Sequence, residues 1–267
     1  LEDIRISVKL AGELSSARDE SIRFVLLMDL CRWSRLATEA PEALKRWPGN
    51  AQLLQIGGIA RIHVGEIDAG LADLESAQSV SKTVDSYSGI AEAYFLMGQP
   101  AEALRVLEQV KRTFGGLPQG FSLDWIRARV DAGETADLQK DYNAMASSSR
   151  DVRVHLAHAY LAGTPGCPAY DPAASIASAR VAQALMAFVE SYWIEARTAF
   201  FAGRYSDAIS AIDRGGQEEE FWCLFWKGMS LLKLGSYSEA RVLLTEARRR
   251  NPYFLKLAAK IPGRQGQ

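Results

Sequence analysis

The sequence predicts an all-α solenoid, in which antiparallel helical hairpins stack side by side in a row. Two observations predict this fold class. A short pattern that opens with glycine returns along the chain at a nearly constant interval. Around its copies, small and apolar residues recur at the spacing of one helical face. With 48% hydrophobic and 24% charged residues, the composition is that of an ordinary globular chain rather than of a disordered or membrane protein.

The repeated pattern has four clear copies, at 65–70, 98–103, 203–208 and 235–240, and a weaker copy at 133–138. Its glycines lie 33, 35, 70 and 32 residues apart, and counting the interval of 70 twice gives a period of about 34 residues, which is typical of helix–turn–helix repeats. Glycine is expected to end the first helix of each hairpin, because it adopts the left-handed conformation without a Cβ clash. A small residue near the start of the second helix then lets the two helices approach closely.

A further small residue precedes each clear glycine by seven positions, which places it on the facing side of the first helix. These residues are Gly58, Ala91, Ala196 and Gly228. The register therefore places the pair Gly57-Gly58 inside a helix, as a site of close packing.

Residues 222–252 closely resemble a tetratricopeptide repeat, through Gly228, Gly235, Tyr237, Ala240 and Pro252. The resemblance implies a right-handed superhelix of hairpins. It also implies a domain organisation. N-terminal helices, which can form a degenerate repeat, occupy 1–50, and two repeats follow at 51–117. Two degenerate repeats at 118–188 and two clear repeats at 189–252 come next, and a C-terminal capping helix and tail occupy 253–267. A Pro/Gly-rich loop at 163–172 interrupts the degenerate pair. Residues 1–16 are expected to form a helix without a partner.

In this family the first helix of each hairpin lines the concave surface of the superhelix. Carrying that face over to the two clear repeats gives a predicted partner-binding set of Trp193, Arg197, Phe201, Trp222, Phe225, Met229 and Lys233. Exposed aromatic and Met side chains commonly mark protein-binding surfaces, and Trp and Arg dominate binding hot spots. The alternative for Trp193, Phe225 and Met229 is that they pack in the core.

The function that this architecture implies is that of a scaffold or adaptor, which binds a peptide or a partner helix in its concave groove. We expect no enzyme activity and no cofactor, because the chain has no GxSxG, HExxH or phosphate-binding glycine loop. Two alternatives stay open. The chain could be a structural subunit that buries its apolar groove or end face in a homo- or hetero-oligomer. It could also be the regulatory region of a larger enzyme or transcription regulator, as a start at Leu1 rather than Met suggests.

Charge and cysteine content limit the partners and the compartment. The net charge of -1, from 31 basic and 32 acidic residues, does not favour nucleic acid as a partner. No apolar run is long enough to span a membrane. Three widely spaced cysteines favour a reducing compartment such as the cytoplasm, and leave the periplasm open.

His155 and His158 are three residues apart on a helix, and with Cys167 or Asp171 they could bind a metal. An ordinary histidine pair is favoured, so no metal site is predicted.

Overall fold

The computed structural model describes residues 16–29, 32–135, 138, 150–216 and 220–259. Within these ranges the chain forms fourteen α-helices, one short 3₁₀ turn and no strand, so the predicted all-α class is confirmed. The chain divides into two compact units, 1–93 and 94–267, and the boundary falls inside one helix. The helix expected over residues 1–16 lies almost entirely outside the described residues. No helix of the described ranges is long and apolar enough to cross a bilayer.

The first unit contains four complete helices and most of a fifth. They are α1 (Ala17–Asp29), α2 (Trp33–Arg46), α3 (Ala51–Val64), α4 (Ile67–Val80) and α5 (Val84–Leu96). Its core includes Phe24, Leu36 and Leu53, which are fully buried between α1, α2 and α3. The Asn50 side chain caps α3 by accepting a hydrogen bond from the Leu53 amide at 3.0 Å.

Close packing of α3 against α4 depends on two glycines that face each other. A Cβ atom added at Gly70 would lie 2.5 Å from the carbonyl oxygen of Gly58, and one added at Gly58 would lie 2.8 Å from the carbonyl oxygen of Gly70. A typical repeat of this family has alanine at the position of Gly70. Because the two backbones approach this closely, both positions require glycine.

The second unit begins with the last turn of α5 and continues through nine further helices. They are α6 (Pro100–Phe114), α7 (Ser122–Asp131), α8 (Val152–Ala162), α9 (Pro172–Leu185), α10 (Val189–Phe201), α11 (Tyr205–Gly215), α12 (Phe221–Lys233), α13 (Tyr237–Arg250) and α14 (Phe254–Ala259). From α6 to α14 each helix packs against the next, and α10 also contacts both α8 and α12. The helices α8, α10 and α12 therefore lie side by side, as first helices of stacked hairpins do.

The turns between the paired helices confirm the role that the sequence pattern assigns to glycine. Gly65, Gly98, Gly133, Gly203 and Gly235 all have positive φ, between 64° and 100°. A residue with a Cβ atom is strained in this region. The loop between α8 and α9 is non-helical, as expected, and Asp171 caps α9 by accepting hydrogen bonds from the amides of Ala173 and Ala174 at 3.0 Å.

The two ends of the second unit meet through Asn251, which follows α13. Its side-chain nitrogen donates a hydrogen bond to the carbonyl oxygen of Leu96, 155 positions earlier, at 3.0 Å. Its side-chain oxygen accepts from the Tyr253 amide at 2.8 Å. Asn251 is fully buried, so one side chain both caps the segment before α14 and ties it to the end of α5.

Replacing Asn251 with Ala is expected to lower the free energy of unfolding by about 2 kcal/mol, because the buried Leu96 carbonyl loses its side-chain partner and the Tyr253 amide loses its cap. Urea unfolding monitored by circular dichroism measures the loss. Gln109→Ala is the matched control, since Gln109 is an exposed amide on α6 and its loss should change stability by less than about 0.5 kcal/mol. Equal stability of the two variants would contradict the role of Asn251.

Candidate binding cavity

The second unit encloses a cavity of about 260 Å³ that is partly open to solvent. We call it the aromatic cavity, because seven of the residues that line it are aromatic. They are Phe95 on α5, Tyr160 on α8, Trp193 and Phe201 on α10, and Trp222, Phe225 and Trp226 on α12. The charged residues of the lining are Arg127 and Asp131 on α7 and Arg197 on α10. The α10 residues lie four positions apart, and Phe225 and Trp226 on α12 lie three and four positions after Trp222, so each helix presents one face to the cavity.

Five of the seven residues predicted to bind a partner line this cavity, namely Trp193, Arg197, Phe201, Trp222 and Phe225. The remaining two do not line it. Met229 is buried at 4% exposure, and Lys233 is exposed near the end of α12. The seven residues therefore do not form one continuous open groove. Their role in partner binding stays a prediction.

The sequence leaves open whether Trp193, Phe225 and Met229 line the groove or pack in the core, and in the structure Trp193 and Phe225 do both. Trp193 and Phe225 have exposed fractions of only 3% and 1%, although both line the cavity. The Phe225 ring packs 5.5 Å from Phe254 on α14 and 5.0 Å from Trp226, measured between ring centroids. The chain itself covers most of this surface, and these rings belong to the core while forming the cavity wall.

Arg127 lies in the aromatic wall and is only 4% exposed. Its guanidinium carbon is 4.0 Å from the centroid of the Phe95 ring and 4.8 Å from that of Trp222. Trp193 is slightly farther, at 5.6 Å. Cation–π attraction is strongest where water is excluded, so these rings hold the guanidinium in a fixed position.

Arg197 is the second buried guanidinium of the cavity, with 7% of the residue exposed. It stacks on Tyr160 at 4.3 Å and lies 5.0 Å from Phe201. Its Nη2 donates to the Thr164 hydroxyl at 3.0 Å, and its Nη1 contacts the Gly163 carbonyl oxygen at 3.4 Å. Among the described residues no carboxylate forms an ion pair with Arg197, so its charge is stabilised by neutral acceptors and aromatic faces.

Tyr160 contacts two charged residues of the cavity lining, Arg197 on α10 and Asp131 on α7. Its hydroxyl donates a hydrogen bond to the Asp131 carboxylate at 2.8 Å. Burial raises the pKa of Tyr160, so the phenol stays protonated and remains a donor at neutral pH. Asp131 is exposed and lies at the rim. The lining thus combines two cations and one anion.

Trp226 supplies a polar atom that lacks a partner. Its indole nitrogen is buried, and no acceptor in the described part of the chain is within hydrogen-bond distance of it. The ring packs 5.5 Å from Phe200 and from Phe201, again between centroids. A buried N–H without an acceptor is rare, because it gives up a hydrogen bond to water without replacement.

Nucleophilic chemistry has no support at the two cysteines that the structure describes. Burial raises the pKa of Cys167, which Arg197 partly opposes, and burial raises the pKa of Cys223 well above its usual value. Both thiols therefore stay protonated at neutral pH and are poor nucleophiles. Cys31 lies outside the described residues.

The histidine pair is also not part of a metal-binding cluster in the described ranges, where no three His, Cys, Asp or Glu residues lie together. The Nδ1 of His158 is hydrogen-bonded to the Ser178 hydroxyl at 2.8 Å, and burial lowers the pKa of His158. Asp171, a proposed third ligand, caps α9 instead.

In the first unit, the polar side chains of Gln55 and His63 have partners within the unit. The Gln55 amide oxygen accepts from Thr83 at 2.6 Å, and its nitrogen lies 3.4 Å from the Asp85 carboxylate. His63 stacks on Trp33, with ring centroids 4.0 Å apart.

Sequence reasoning missed ten of the fifteen residues that line the aromatic cavity, and four of them are Arg127, Asp131, Tyr160 and Trp226. The first three belong to the degenerate repeats, where the glycine pattern has only the weak copy at 133–138, and the concave face was not carried over to them. Trp226 lies four residues after Trp222 and so shares its helical face, but it is not one of the positions carried over from the family's concave surface. The sequence offers no clear signal for Arg127, because Asp124 and Asp131 lie three and four residues away and are typical of an ordinary ion pair on a helix surface.

Comparison with known proteins supports the fold. Residues 85–116 match the family model described as a tetratricopeptide repeat. A chain in the crystal structure of the APC/C hetero-tetramer Cut9–Hcn1 superposes with a TM-score of 0.57 at 13% identity, over 96% of this chain and 51% of that one. This chain thus spans about half the length of that relative.

A tetratricopeptide repeat protein from Parabacteroides merdae ATCC 43184 superposes with a TM-score of 0.51 at 18% identity, over 91% of this chain and 98% of that one. No curated protein sequence matches the chain. At these identities the structures show the fold alone. The chain therefore has the fold of tetratricopeptide repeat proteins, and one segment, 85–116, matches the family model, in agreement with the resemblance found in the sequence.

Proposed function

We propose that this chain is a binding module that holds a segment of a partner protein, and that a side chain or chain end of the partner enters the aromatic cavity. The fold supports a role in protein–protein interaction. The observation that carries the proposal is the convergence of five predicted binding residues on one cavity that is partly open to solvent. Its aromatic and arginine side chains are the residue types that dominate binding hot spots.

The cavity is small compared with ligand sites of roughly 300–1,000 Å³, so it would take one or two side chains rather than a long peptide. Asp131, Thr164 and Trp222 are at least partly exposed among its lining residues, and the partner would pass them on entry. The rest of the partner segment would then lie outside the cavity. A binding mode of this kind gives specificity through the inserted group.

Trp222 is the residue with which to test the proposal, because it lines the cavity and is only half-buried. The chain and its Trp222→Ala variant are used as baits, and co-purified proteins are quantified by mass spectrometry. The Kd of the enriched protein is then measured by isothermal titration calorimetry. We expect the substitution to weaken binding by about 2 kcal/mol, or roughly 30-fold.

Tyr237→Ala is the matched control, because Tyr237 is an aromatic residue with 68% exposure that does not line the cavity. It should leave the Kd unchanged. Thermal unfolding of both variants checks that each is folded at the assay temperature. A partner that binds the native chain and Trp222→Ala equally, or the absence of any protein that depends on Trp222, would contradict the proposal.

A further inference from the structure

Helix α9 has an unusual solvent-exposed side for the second helix of a hairpin. The helix packs against α8 and α10, and its buried residues include Ile176, Ala179 and Ala182. Its 14 residues contain no Asp, Glu or Lys, and Arg180 is its one charged residue. Apart from Arg180, the exposed side consists of apolar residues, namely Ala173, Ala177, Val181, Ala184 and Leu185. We call these five residues the α9 face.

Arg180 does not give the α9 face a free charge, because its guanidinium is paired with Glu195 on α10. Its Nε and Nη2 both lie 3.0 Å from the Glu195 carboxylate. Glu195 is almost fully buried, with 3% of the residue exposed, so the pair holds the guanidinium toward α10. The α9 face beside it is left apolar and uncharged.

Large apolar side chains are exposed toward the C-terminal end of the α9 face. Val181 is 43% exposed and Leu185 is 46% exposed, and Met186, which follows directly, is 53% exposed. The other second helices of this unit expose charged residues in their second halves or middles, such as Asp213 on α11 and Arg241 on α13. An exposed apolar patch of this kind marks an interaction surface in a soluble protein.

The order of small and large residues on the α9 face indicates which partner it fits. Ala173, Ala177, Val181 and Leu185 follow one another at steps of four residues, with the small side chains in the first half and the large ones in the second. A two-fold axis midway between Ala177 and Val181 sets a second α9 antiparallel to the first. Ala177 of each copy then lies against Val181 of the other, and Ala173 lies against Leu185. Every large side chain meets a methyl group, which lets the two helices approach closely and makes the face complementary to itself.

Other occupants fit this face less well. A charged segment of a different protein finds no opposite charge on it, because Arg180 is already paired. Helices that bind at membrane surfaces carry several Lys or Arg residues on their polar side, and α9 has a single Arg. The neutral, self-complementary face therefore favours a second copy of this chain.

We propose that the chain forms a two-fold symmetric dimer through antiparallel pairing of the α9 faces. A helix of 14 residues is about 21 Å long, and its pairing buries roughly 400 Å² on each copy, about half of what each partner of a standard interface contributes. The dimer is therefore weak and reversible, with a Kd on the order of 10–100 µM. The interface is separate from the aromatic cavity, since no residue that lines the cavity lies on α9.

Sedimentation velocity of the full chain over a range from roughly one tenth to ten times this Kd tests the dimer. We expect the weight-average mass to rise from 29.4 kDa toward twice that value as the concentration increases. Val181→Glu should raise the Kd at least tenfold, because it buries a carboxylate without a partner on each side of the axis.

Val242→Glu is the matched control, because Val242 is an exposed valine (67%) on the second helix of another hairpin. It should leave the Kd unchanged. Both valines are largely exposed, so neither substitution should lower the melting temperature by more than a few degrees, and calorimetry checks that both variants are folded.

A mixture of two variants tests the antiparallel pairing. Val181→Glu and Ala177→Lys should each weaken self-association. In the equimolar mixture the introduced ammonium of one copy lies against the introduced carboxylate of the other, so the mixed dimer should form at least tenfold more tightly than either variant alone. A mixture no tighter than the separate variants would overturn the antiparallel pairing.

A native chain that stays monomeric over the whole range would overturn the inference, and so would a Val181→Glu variant that associates like the native chain. Co-sedimentation with phosphatidylcholine vesicles distinguishes the alternatives. A monomer that binds the vesicles through Val181 assigns the α9 face to lipid, and a monomer that does not bind them assigns it to a different protein. Trp222→Ala should leave the dimer unchanged, so the failure of this inference and that of the proposed function can be told apart.

Discussion

Replacing Phe225 with Ala is expected to lower the free energy of unfolding by about 3–5 kcal/mol, which is the cost of removing a buried aromatic ring from a packed core. Phe225 is 1% exposed, and its ring contacts Phe221 and Trp226 within α12 and Phe254 on α14. Truncation would leave a void that helices fixed on several sides cannot close. Urea unfolding followed by circular dichroism measures the change.

Leu255→Ala serves as the control for Phe225→Ala, since Leu255 is also a large apolar residue but is 61% exposed. Its loss should change stability by less than about 0.5 kcal/mol. If Phe225→Ala does not fold, Phe225→Leu retains most of the volume and should cost about 1–2 kcal/mol. A loss below 1 kcal/mol in Phe225→Ala would show that the ring faces an open groove rather than the core.

Replacing Gly70 with Ala should destabilise the first unit by about 2–3 kcal/mol, although Ala is normally the better helix former by about 1 kcal/mol. The added methyl would lie 2.5 Å from the Gly58 carbonyl oxygen and 3.0 Å from the Ile62 amide nitrogen. Both atoms belong to the backbone of α3, so no side-chain rotation can relieve the contact. The helices α3 and α4 must separate, and the packing between them is lost.

Gly116→Ala is the matched control for this substitution. A Cβ atom at Gly116 meets nothing within 4 Å, and its φ is not in the left-handed region. Its replacement should be neutral or slightly stabilising, because the unfolded chain loses conformational freedom. If differential scanning calorimetry gives the two variants equal melting temperatures, the close approach of α3 and α4 is not present in solution.

The repeat register explains why some residues could be located from sequence and others could not. Trp193, Arg197, Trp222 and Phe225 lie in repeats with a clear glycine pattern, so their shared face followed from helical spacing alone. Arg127 lies in a degenerate repeat, where only a weak copy of the glycine pattern is present and the concave face was not assigned. Its position against Phe95 and Trp222 depends on contacts between residues far apart in the chain.

The repeat register predicted which residues share a helical face, but it did not predict how deeply they are buried. A concave face in a short array is open when the ends of the array stay apart, and is covered when they meet. Here Asn251 joins the end of α13 to the carbonyl of Leu96, and Leu257 of α14 lines the same cavity as Phe95. A face that the sequence predicts as a groove therefore becomes a cavity of about 260 Å³.

The sequence by itself determined the all-α class, the period of about 34 residues, the left-handed glycines at the turns and the faces of the clear repeats, because each follows from local backbone geometry and helical spacing. Only the tertiary structure decided that two buried arginines share one aromatic cavity and that Asn251 links the two ends of the second unit. These features depend on the distance between segments that are far apart along the chain, and no local pattern specifies that distance.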